Sequence, residues 1–301
     1  MQKYNNLLKF AFLIPITEMK RFLLIILSVS VMLSYDVYAQ KKSVAPDELK
    51  VMSYNIRMDT KKDGTNAWPM RCPATLEMIQ DQNPDVFGIQ EAFSHQVMFI
   101  EEYCRDYKCV GVGREDGRKE GEHMSVFWNK KTVSMLKWGT FWLSETPDTP
   151  SKGWDAACFR TATWALMKDR KTGNKFYFVN THLDHRGTEA RKNGLKLIVD
   201  KIDEINPEGY PMVLTGDFNV TPDDSALDEL DMRMKSARNI ADRSDNHQTF
   251  NGWGKAAKDR IIDYIYISGF SYCPEYQTVT KKYADRTYVS DHYPVCARLI
   301  F

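Results

Sequence analysis

The chain lacks an excess of charge of either sign. Its 41 lysine and arginine residues are balanced by 40 aspartate and glutamate residues, for a net charge of +1 over 301 residues. Residues 1–39 contain four basic and two acidic residues, so 37 basic and 38 acidic residues remain after them, a net charge of −1. Proteins that bind long nucleic acid through many phosphates usually carry a marked excess of basic residues. Nucleic acid is therefore not implied as a partner, although a local basic groove is compatible with a neutral total.

The chain also lacks an apolar run long enough to cross a membrane. Residues 19–21 give a basic start, residues 22–34 are apolar, and residues 37–39 form a small-residue cleavage pattern. We therefore predict a signal peptide over residues 1–39, cut after Ala39, with Met19 as an alternative start. An uncleaved anchor is the weaker alternative because a spanning helix needs roughly 20 apolar residues. We expect a secreted or periplasmic protein with no stable membrane insertion.

Cysteine spacing shows no zinc-binding pattern. The six cysteines, an even number, stand at positions 72, 104, 109, 158, 273 and 296, and export permits disulfides. Cys104 and Cys109 are close enough in sequence to close a local loop. Cys296 alternates with apolar neighbours, as a buried free thiol does. The sequence leaves open whether any disulfide forms.

No repeat, low-complexity tract or interdomain linker follows residue 49. With 43% hydrophobic and 12% aromatic residues the chain can bury a full core. We therefore expect a linker over residues 40–48 and one folded domain over 49–301, as a monomer.

Short segments rich in β-branched and aromatic residues dominate this domain. They predict strands over residues 50–57, 86–90, 125–128, 137–143, 160–168, 176–182, 212–216, 261–268 and 295–301. Helical periodicity predicts helices over residues 189–206 and, after Pro73, over 75–82. Several strands follow one another too tightly for a parallel crossover. The pattern therefore indicates a layered α/β fold with mixed or antiparallel sheets.

Polar side chains occupy strand ends where a purely structural strand would not need them. One such motif alone is usually a turn or a cap. Five of them at successive strand ends, with an aspartate inside an apolar strand, instead predict a shared site. The segments are Tyr54-Asn55-Ile56-Arg57, Gln90-Glu91, Asn180 to His185, Asp217-Phe218-Asn219 and Asp291-His292, and the strand aspartate is Asp263.

These motifs and their order resemble the endonuclease/exonuclease/phosphatase superfamily of metal-dependent phosphoesterases. That superfamily includes deoxyribonuclease I, abasic-site endonucleases, sphingomyelinases, inositol polyphosphate 5-phosphatases and deadenylases. The resemblance covers about residues 49–301. It implies a four-layer α/β/β/α sandwich, in which two packed mixed or antiparallel sheets are flanked by helices and the site lies at one end of the sheets.

The resemblance implies a Mg²⁺ site, with Mn²⁺ as a second candidate. Glu91 is the expected direct ligand, because a hard divalent ion prefers carboxylate oxygen. Asn55 would add a neutral oxygen ligand or orient a metal-bound water. Asp291 would add a second carboxylate, for the same ion or for a second one.

The same resemblance assigns catalytic roles to five residues. Asp263 would hold the imidazole of His292, so that the other ring nitrogen takes a proton from water. Asp217 is the rival base, and the sequence does not choose between them. Asn219 would donate to a phosphate oxygen, and His182 would protonate the leaving oxygen or donate to a nonbridging oxygen.

Three further residues are expected to contact substrate. Arg160 would bind a phosphoryl oxygen, with an ordinary strand charge as the alternative. Trp154 and Trp253 would form pocket walls, with a core or rim position as the alternative. Asp184 and His185 would orient these groups or simply be exposed, and the charged loop over residues 113–121 is expected to be solvated.

These features predict an exported Mg²⁺-dependent phosphoesterase that uses a metal-activated water. Phosphodiester cleavage is favoured, nuclease-like or resembling a 3′-to-5′ exonuclease. The alternatives within enzymes are a phosphomonoesterase or inositol-phosphate phosphatase, and a sphingomyelinase-like phospholipid diesterase. Outside enzymes, a noncatalytic protein that binds phosphates or sugars on the same scaffold is the alternative.

Overall fold

The computed structural model of the protein describes residues 47–256 and 260–301. The predicted signal peptide and linker residues 40–46 lie outside the described residues. None of the described helices is long and apolar enough to cross a membrane.

Two β-sheets form the centre of the domain. The strands of the described residues, in chain order, are β1 (Glu48–Asn55), β2 (Val86–Gln90), β3 (Tyr107–Val110), β4 (Val126–Asn129), β5 (Val133–Trp142), β6 (Thr161–Asp169), β7 (Lys175–His182), β8 (Met212–Asp217), β9 (Lys235–Ser236), β10 (Arg243–Ser244), β11 (Asp263–Ser268), β12 (Tyr272–Thr278) and β13 (Val295–Ile300). The seven-stranded sheet has the order β10-β12-β13-β1-β2-β4-β3, and the six-stranded sheet has the order β5-β6-β7-β8-β11-β9. Both sheets are mixed, because the pairs β1–β2 and β7–β8 are parallel whereas most other pairs are antiparallel.

Helices cover the outer faces of the sheets. The α-helices are α1 (Trp68–Gln82), α2 (Ser94–Tyr103), α3 (Thr188–Ile205), α4 (Asp228–Arg233) and α5 (Ala237–Ile240), with short 3₁₀ turns at Lys61–Asn66, Ser225–Leu227 and Gly252–Gly254. One apolar cluster lies between the sheets, a second lies between the seven-stranded sheet and α1 and α2, and a third lies between the six-stranded sheet and α3 and α4. Three buried apolar layers separate four structural layers, which confirms the predicted α/β/β/α sandwich.

The side chains of β1 alternate between two apolar layers. Leu49 and Val51 belong to the cluster between the sheets, whereas Met52 and Tyr54 belong to the cluster under the helices. Successive strand residues point to opposite faces. Asn55 therefore falls on the face between the sheets, at the end of the strand.

All nine predicted strands and both predicted helices are present, most of them with shifted ends. Helix α1 begins at Trp68 rather than after Pro73, so Pro73 lies inside the helix. A proline there removes one backbone donor, and the thiol of Cys72 donates to the carbonyl of Pro69 at 3.6 Å. Strand β5 begins at Val133, earlier than predicted.

The sequence prediction omitted the helices α2, α4 and α5 and the strands β3, β9, β10 and β12. Strand β12 contains Pro274, which normally argues against a strand. The β12–β13 register shifts between Tyr272 and Glu275, so a bulge accommodates the proline. All six cysteines lie within the described residues and are free thiols, so Cys104 and Cys109 form no disulfide. Cys296 is buried, as expected.

Candidate active site

Strand register brings the predicted site residues to one edge of both sheets. Asn55 pairs with Gln90 across the parallel strands β1 and β2, so Glu91 follows at the same edge. In the other sheet His182 pairs with Asp217, and Asp217 pairs with Asp263. Strand period 2 also turns these side chains toward the other sheet, because Phe178, Val213 and Ile265 on the same faces belong to the core between the sheets.

A cavity of about 510 Å³ opens at this edge. Of the predicted residues, the ones that line it are Glu91, Arg160, His182, Asp217, Asn219, Asp291 and His292. Asn55 and Asp263 lie behind this lining, in contact with it. The cavity is also lined by Arg57, Met58, Arg114, Glu122, Cys158, His185, Phe250, Arg260 and Ile262.

Asn55 holds two carboxylates together. Its amide nitrogen donates to Glu91 Oε1 at 3.0 Å and to Asp217 Oδ2 at 2.9 Å. Its Oδ1 accepts the backbone N–H of Arg57 at 3.0 Å. With this assigned amide orientation, Asn55 positions the carboxylates and turns its own oxygen away from them.

Buried carboxylates at this edge have only loose cationic compensation. Glu91, Asp217 and Asp291 are each at most 9% exposed. The guanidinium of Arg57 lies 3.6 Å from Glu91 Oε2 and 3.7 Å from Asp291 Oδ2, longer than a close ion pair. Burial raises the pKa of Asp291 above its ordinary value, and His292 and Arg57 only partly oppose the rise. A set of carboxylate oxygens short of positive charge fits a hard divalent cation.

Glu91 and Asp291 are the side chains best suited to hold such an ion. Burial opposes the charged form of Glu91, but His292, Asn55 and Arg57 outweigh it and keep its pKa below the ordinary value. Atoms of Glu91, Asp217 and His292 also lie within 4.8 Å of one another. His292 is the poorer ligand of that trio, because a metal needs a deprotonated ring nitrogen and its neighbours favour the protonated ring.

Two aspartates lie beside the ring nitrogens of His292. Its Nδ1 lies 2.8 Å from Asp263 Oδ2, and its Nε2 lies 3.7 Å from Asp217 Oδ2. Burial opposes the charged imidazolium, but Asp263 and then Asp217 outweigh it and raise the pKa of His292 to about 10. Burial also raises the pKa of Asp217 to about 7, against the opposing charge of His292. At neutral pH Asp217 is thus the better proton acceptor and His292 the better donor.

His182 is held in one tautomer by Asn219. The Asn219 amide nitrogen donates to the carbonyl of Leu183 at 3.1 Å and lies 3.0 Å from His182 Nε2. An amide nitrogen only donates, so Nε2 accepts and the ring proton resides on Nδ1. Burial, and then the nearby Arg160 and Arg114, push the pKa of His182 well below 6.5. His182 is therefore a neutral donor, and its buried Nδ1 has no hydrogen-bond partner within the described residues.

Arg114 and Glu122 are site residues that the sequence analysis missed. Arg114 lies at the start of the charged loop over residues 113–121, and Glu122 directly follows that loop. The middle of the loop is largely exposed but its base is buried, so the expectation of a solvated loop is wrong at that base. Arg114 Nη1 donates to Glu122 Oε2 at 2.7 Å, and that oxygen lies 4.0 Å from His182 Nδ1. The closely spaced glycines Gly113, Gly117 and Gly121 were the available signal, because they mark a folded loop.

Arg160 is buried and anchored at one wall of the cavity. Its Nε donates to Asp184 Oδ2 at 3.3 Å, and its Nη2 lies 3.0 Å from His185 Nδ1. Its buried Nη1 has no partner within the described residues. Asp184 also accepts backbone N–H groups, including that of Ala157 at 3.0 Å. Cys158 joins Asp184 and His185 in a cluster with metal-ligand spacing, but Arg160 already supplies the cation there, so we assign no metal to it.

The two tryptophans expected at the pocket lie elsewhere. Trp154 is half-buried, with its backbone N–H 3.3 Å from Glu145 Oε2, and Trp253 faces the guanidinium of Arg71 at 5.9 Å. Neither residue lines the cavity described above.

Three non-glycine residues at the site have left-handed backbone conformations. Arg57, Glu91 and Asn219 have φ values of 62°, 65° and 53°. Such conformations cost energy for residues other than glycine, and they persist where surrounding contacts fix them. Each of these residues directly follows a strand or lies within two residues of its end, so the strain turns side chains into the cavity.

The sequence and the fold of the chain are similar to those of known proteins. The model of the Endonuclease/Exonuclease/phosphatase family matches residues 52–292. The solved structure of a mannosyl-6-phosphatase from Bacteroides thetaiotaomicron is 35% identical, with a TM-score of 0.81, and the match covers 84% of this chain and 100% of that one. A family protein from Bacteroides vulgatus is 36% identical, with a TM-score of 0.80, over 84% of this chain and 98% of that one. An uncharacterised protein of Acanthamoeba polyphaga mimivirus is 27% identical over 275 residues, covering 82% of this chain and 98% of its own length.

Proposed function

The chain belongs to the endonuclease/exonuclease/phosphatase family of metal-dependent phosphoesterases, and from that membership we propose that it hydrolyses phosphate monoesters of sugars. The observation that carries the proposal is the buried Nη1 of Arg160, a cationic donor without a partner among the described residues, at the wall of a cavity. A buried donor of this kind is costly unless an anion pairs with it. A monoester phosphate offers three nonbridging oxygens to such donors.

The dimensions and charge of the chain support a small substrate. The cavity of about 510 Å³ is of the size that holds small ligands, roughly 300–1,000 Å³. The near-neutral net charge gives no general attraction to long polyanions. The Bacteroides relative at 35% identity is a mannosyl-6-phosphatase. These observations move the monoester ahead of the phosphodiester that the sequence alone favoured.

The chain's own residues supply binding and proton transfer. Arg160 Nη1 and His182 Nδ1–H donate to nonbridging phosphoryl oxygens, and Asn219 holds His182 in the donating tautomer. Asp217 accepts a proton from the water whose oxygen forms the new bond to phosphorus. The bond from phosphorus to the sugar oxygen breaks, the sugar oxygen takes up a proton from solvent, and Asp217 later releases its proton to solvent.

His292 and Asp263 stabilise the charge that develops during this step. The imidazolium of His292, paired with Asp263 at 2.8 Å, places positive charge beside the reacting phosphoryl group. Glu91 and Asp291 would hold Mg²⁺ or Mn²⁺. When bound, that ion supplies Lewis-acid stabilisation of the phosphoryl charge.

A substrate panel tests the proposal. Residues 40–301 are assayed with Mg²⁺ on mannose 6-phosphate, glucose 6-phosphate, a simple phosphodiester, single-stranded RNA, duplex DNA and sphingomyelin. We expect kcat/KM to be highest for a hexose phosphate. A phosphodiester, RNA or DNA rate that exceeds every monoester rate would overturn the monoester proposal, and binding of substrates without any turnover would favour a noncatalytic role.

Export is a separate proposal that rests on the signal-peptide pattern alone. Fractionation of producing cells, followed by N-terminal sequencing of the exported protein, is expected to give a chain that begins at Gln40. Retention of residues 19–39 would contradict cleavage. Size-exclusion chromatography with light scattering tests the expected monomer on the same sample.

A further inference from the structure

Arg71 is a buried arginine without an acidic partner. Its side chain is fully buried, and within the described residues it makes no ion pair with a carboxylate. It lies on α1, outside the cavity lining. A guanidinium has five N–H donors. These donors reach five backbone carbonyls, those of Asn66, Ile56, Arg57, Met58 and Val289.

Three of those carbonyls belong to the segment that follows Asn55. Within this segment the backbone N–H of Met58 donates to Glu91 Oε2 at 3.2 Å. The side chain of Arg57 lies between Glu91 and Asp291. Fixing the segment therefore fixes contacts on both carboxylates that would hold the metal ion.

A fourth carbonyl belongs to the segment that carries Asp291. Val289 O lies 3.4 Å from Arg71 Nη1, and the hydroxyl of Tyr54 donates to the same oxygen at 3.2 Å. Val289 is two residues before Asp291. The Arg71 guanidinium thus joins two chain segments. The segment after β1 contacts Glu91, and the segment before β13 carries Asp291.

Two aromatic rings lie against the guanidinium of Arg71, where a carboxylate would otherwise stabilise its charge. The guanidinium carbon of Arg71 lies 5.1 Å from the ring centre of Trp68 and 5.9 Å from that of Trp253. Arginine over an aromatic face is stabilised by the ring quadrupole. Because no carboxylate competes, all five donors remain available to the carbonyls.

We infer that Arg71 is a positioning residue for the proposed metal site, one that sets the separation of Glu91 and Asp291 without touching metal or substrate. The inference rests on the proposed function, because it needs a divalent ion at those carboxylates. Groups that orient metal ligands typically contribute about 10- to 100-fold in metal affinity. The lysine variant Arg71→Lys keeps the charge but has three donors and no planar fork.

Direct titration with Mn²⁺ tests the inference. Calorimetry on wild type, Arg71→Lys and Arg170→Lys gives each dissociation constant, and thermal unfolding reports folding. Arg170 also donates to a backbone carbonyl, that of Val133. It is exposed and follows Asp169, the end of β6 that lies away from the cavity, so it is the control for loss of a guanidinium elsewhere. We expect Arg71→Lys to bind Mn²⁺ about 10-fold more weakly or worse, with an unchanged KM for sugar phosphate at saturating Mn²⁺, and Arg170→Lys to match wild type.

The outcomes distinguish a failure of the positioning role of Arg71 from a failure of the proposed metal site. If wild type itself binds no Mn²⁺, the proposed metal site is wrong. If wild type binds and Arg71→Lys binds within twofold of it, the positioning role is wrong. Should Arg71→Lys fail to fold, Trp253→Leu opens the guanidinium to water while leaving the carboxylates intact. We then expect weaker Mn²⁺ binding for Trp253→Leu, and an unchanged affinity would overturn the inference.

Discussion

Two histidines in one cavity have opposite protonation preferences. The pKa of His182 is lowered by burial and by the nearby Arg160 and Arg114, whereas Asp263 and Asp217 overcome burial and raise the pKa of His292 to about 10. The same imidazole chemistry therefore gives a neutral donor in one place and a cation in the other. Asp217, beside His292, is left as the proton acceptor.

Replacing Asp217 tests that division of roles. We expect Asp217→Asn to lower kcat by about 10²- to 10⁴-fold, because a general base contributes on that order. Steady-state kinetics on the best monoester at saturating Mg²⁺ measures the change. Asp223→Asn, on the exposed loop after β8, is the control and should match wild type. A kcat for Asp217→Asn above about a tenth of the wild-type value would return the base role to His292.

Asp184 gives a stability prediction with a defined pH dependence. Burial opposes its charged form, but the N–H groups of Gly187, Arg186 and Ala157 and the charge of Arg160 hold its pKa well below 3.8. Because the folded-state pKa lies below the unfolded value, the stabilisation is present above about pH 3.8 and is lost as the pH falls.

We expect Asp184→Asn to lower the free energy of unfolding by about 1–3 kcal/mol at pH 7. Urea unfolding at pH 7 and pH 3 measures the difference, which should shrink at the lower pH. Asp148→Asn, on an exposed loop, is the control. An equal loss at both pH values would contradict an origin in the ionised carboxylate.

At the scale of elements, the two sheets meet through a polar network just beneath the cavity. Asn180 on β7 donates to the carbonyl of Ile89 at 2.8 Å and accepts from Gln90 Nε2 at 2.7 Å, so the sheets are bonded to each other. This approach requires a residue without a side chain on β2. A Cβ at Gly88 would lie 2.3 Å from Asn180 Oδ1 and 2.7 Å from Thr215 Oγ1.

Gly88→Ala is therefore expected to destabilise the domain by about 1–3 kcal/mol, the usual cost of overpacking a close-packed interior. Gly194→Ala on α3 is the matched control, because its Cβ would meet Leu143 at an ordinary 3.4 Å. We expect that control to be stabilised by about 0.5–1 kcal/mol, the preference of a helix for alanine over glycine. Urea denaturation compares them, and equal midpoints for Gly88→Ala and wild type would show that the sheets can separate without cost.

Three of the omitted elements escaped prediction for local reasons that the structure shows. Helix α2 is short and only weakly amphipathic, with three buried residues. Strand β3 has four residues and lies at the edge of its sheet. Strand β12 contains a proline that only a bulge against β13 accommodates.

At the scale of the whole molecule, the carboxylates at the cavity link metal binding to stability. A ligand that binds only the folded state at 100 times its dissociation constant adds about 2.7 kcal/mol to the free energy of unfolding. For a domain of this length we expect Mg²⁺ or Mn²⁺ to raise the thermal midpoint by about 5–10 °C. Chelation should reverse the rise and abolish turnover, and readdition of metal should restore both. The same rise in Glu91→Gln would mean that the ion binds elsewhere.

The sequence by itself determined the approximate positions of nine strands, the layered fold and the family. Strand period, turn residues and the motifs around Asn55, Glu91, His182, Asp217 and Asp291 are local, so each can be read from its own neighbours. The tertiary structure decided what depends on distant neighbours. Arg71 is an ordinary arginine in sequence, and for Arg160 the sequence left a phosphate ligand and an ordinary strand charge as alternatives. Burial among carbonyls distinguishes Arg71, and burial beside Asp184 distinguishes Arg160. The protonation of His182 and His292 was undetermined for the same reason, since a pKa depends on burial and nearby charge, which the fold alone supplies.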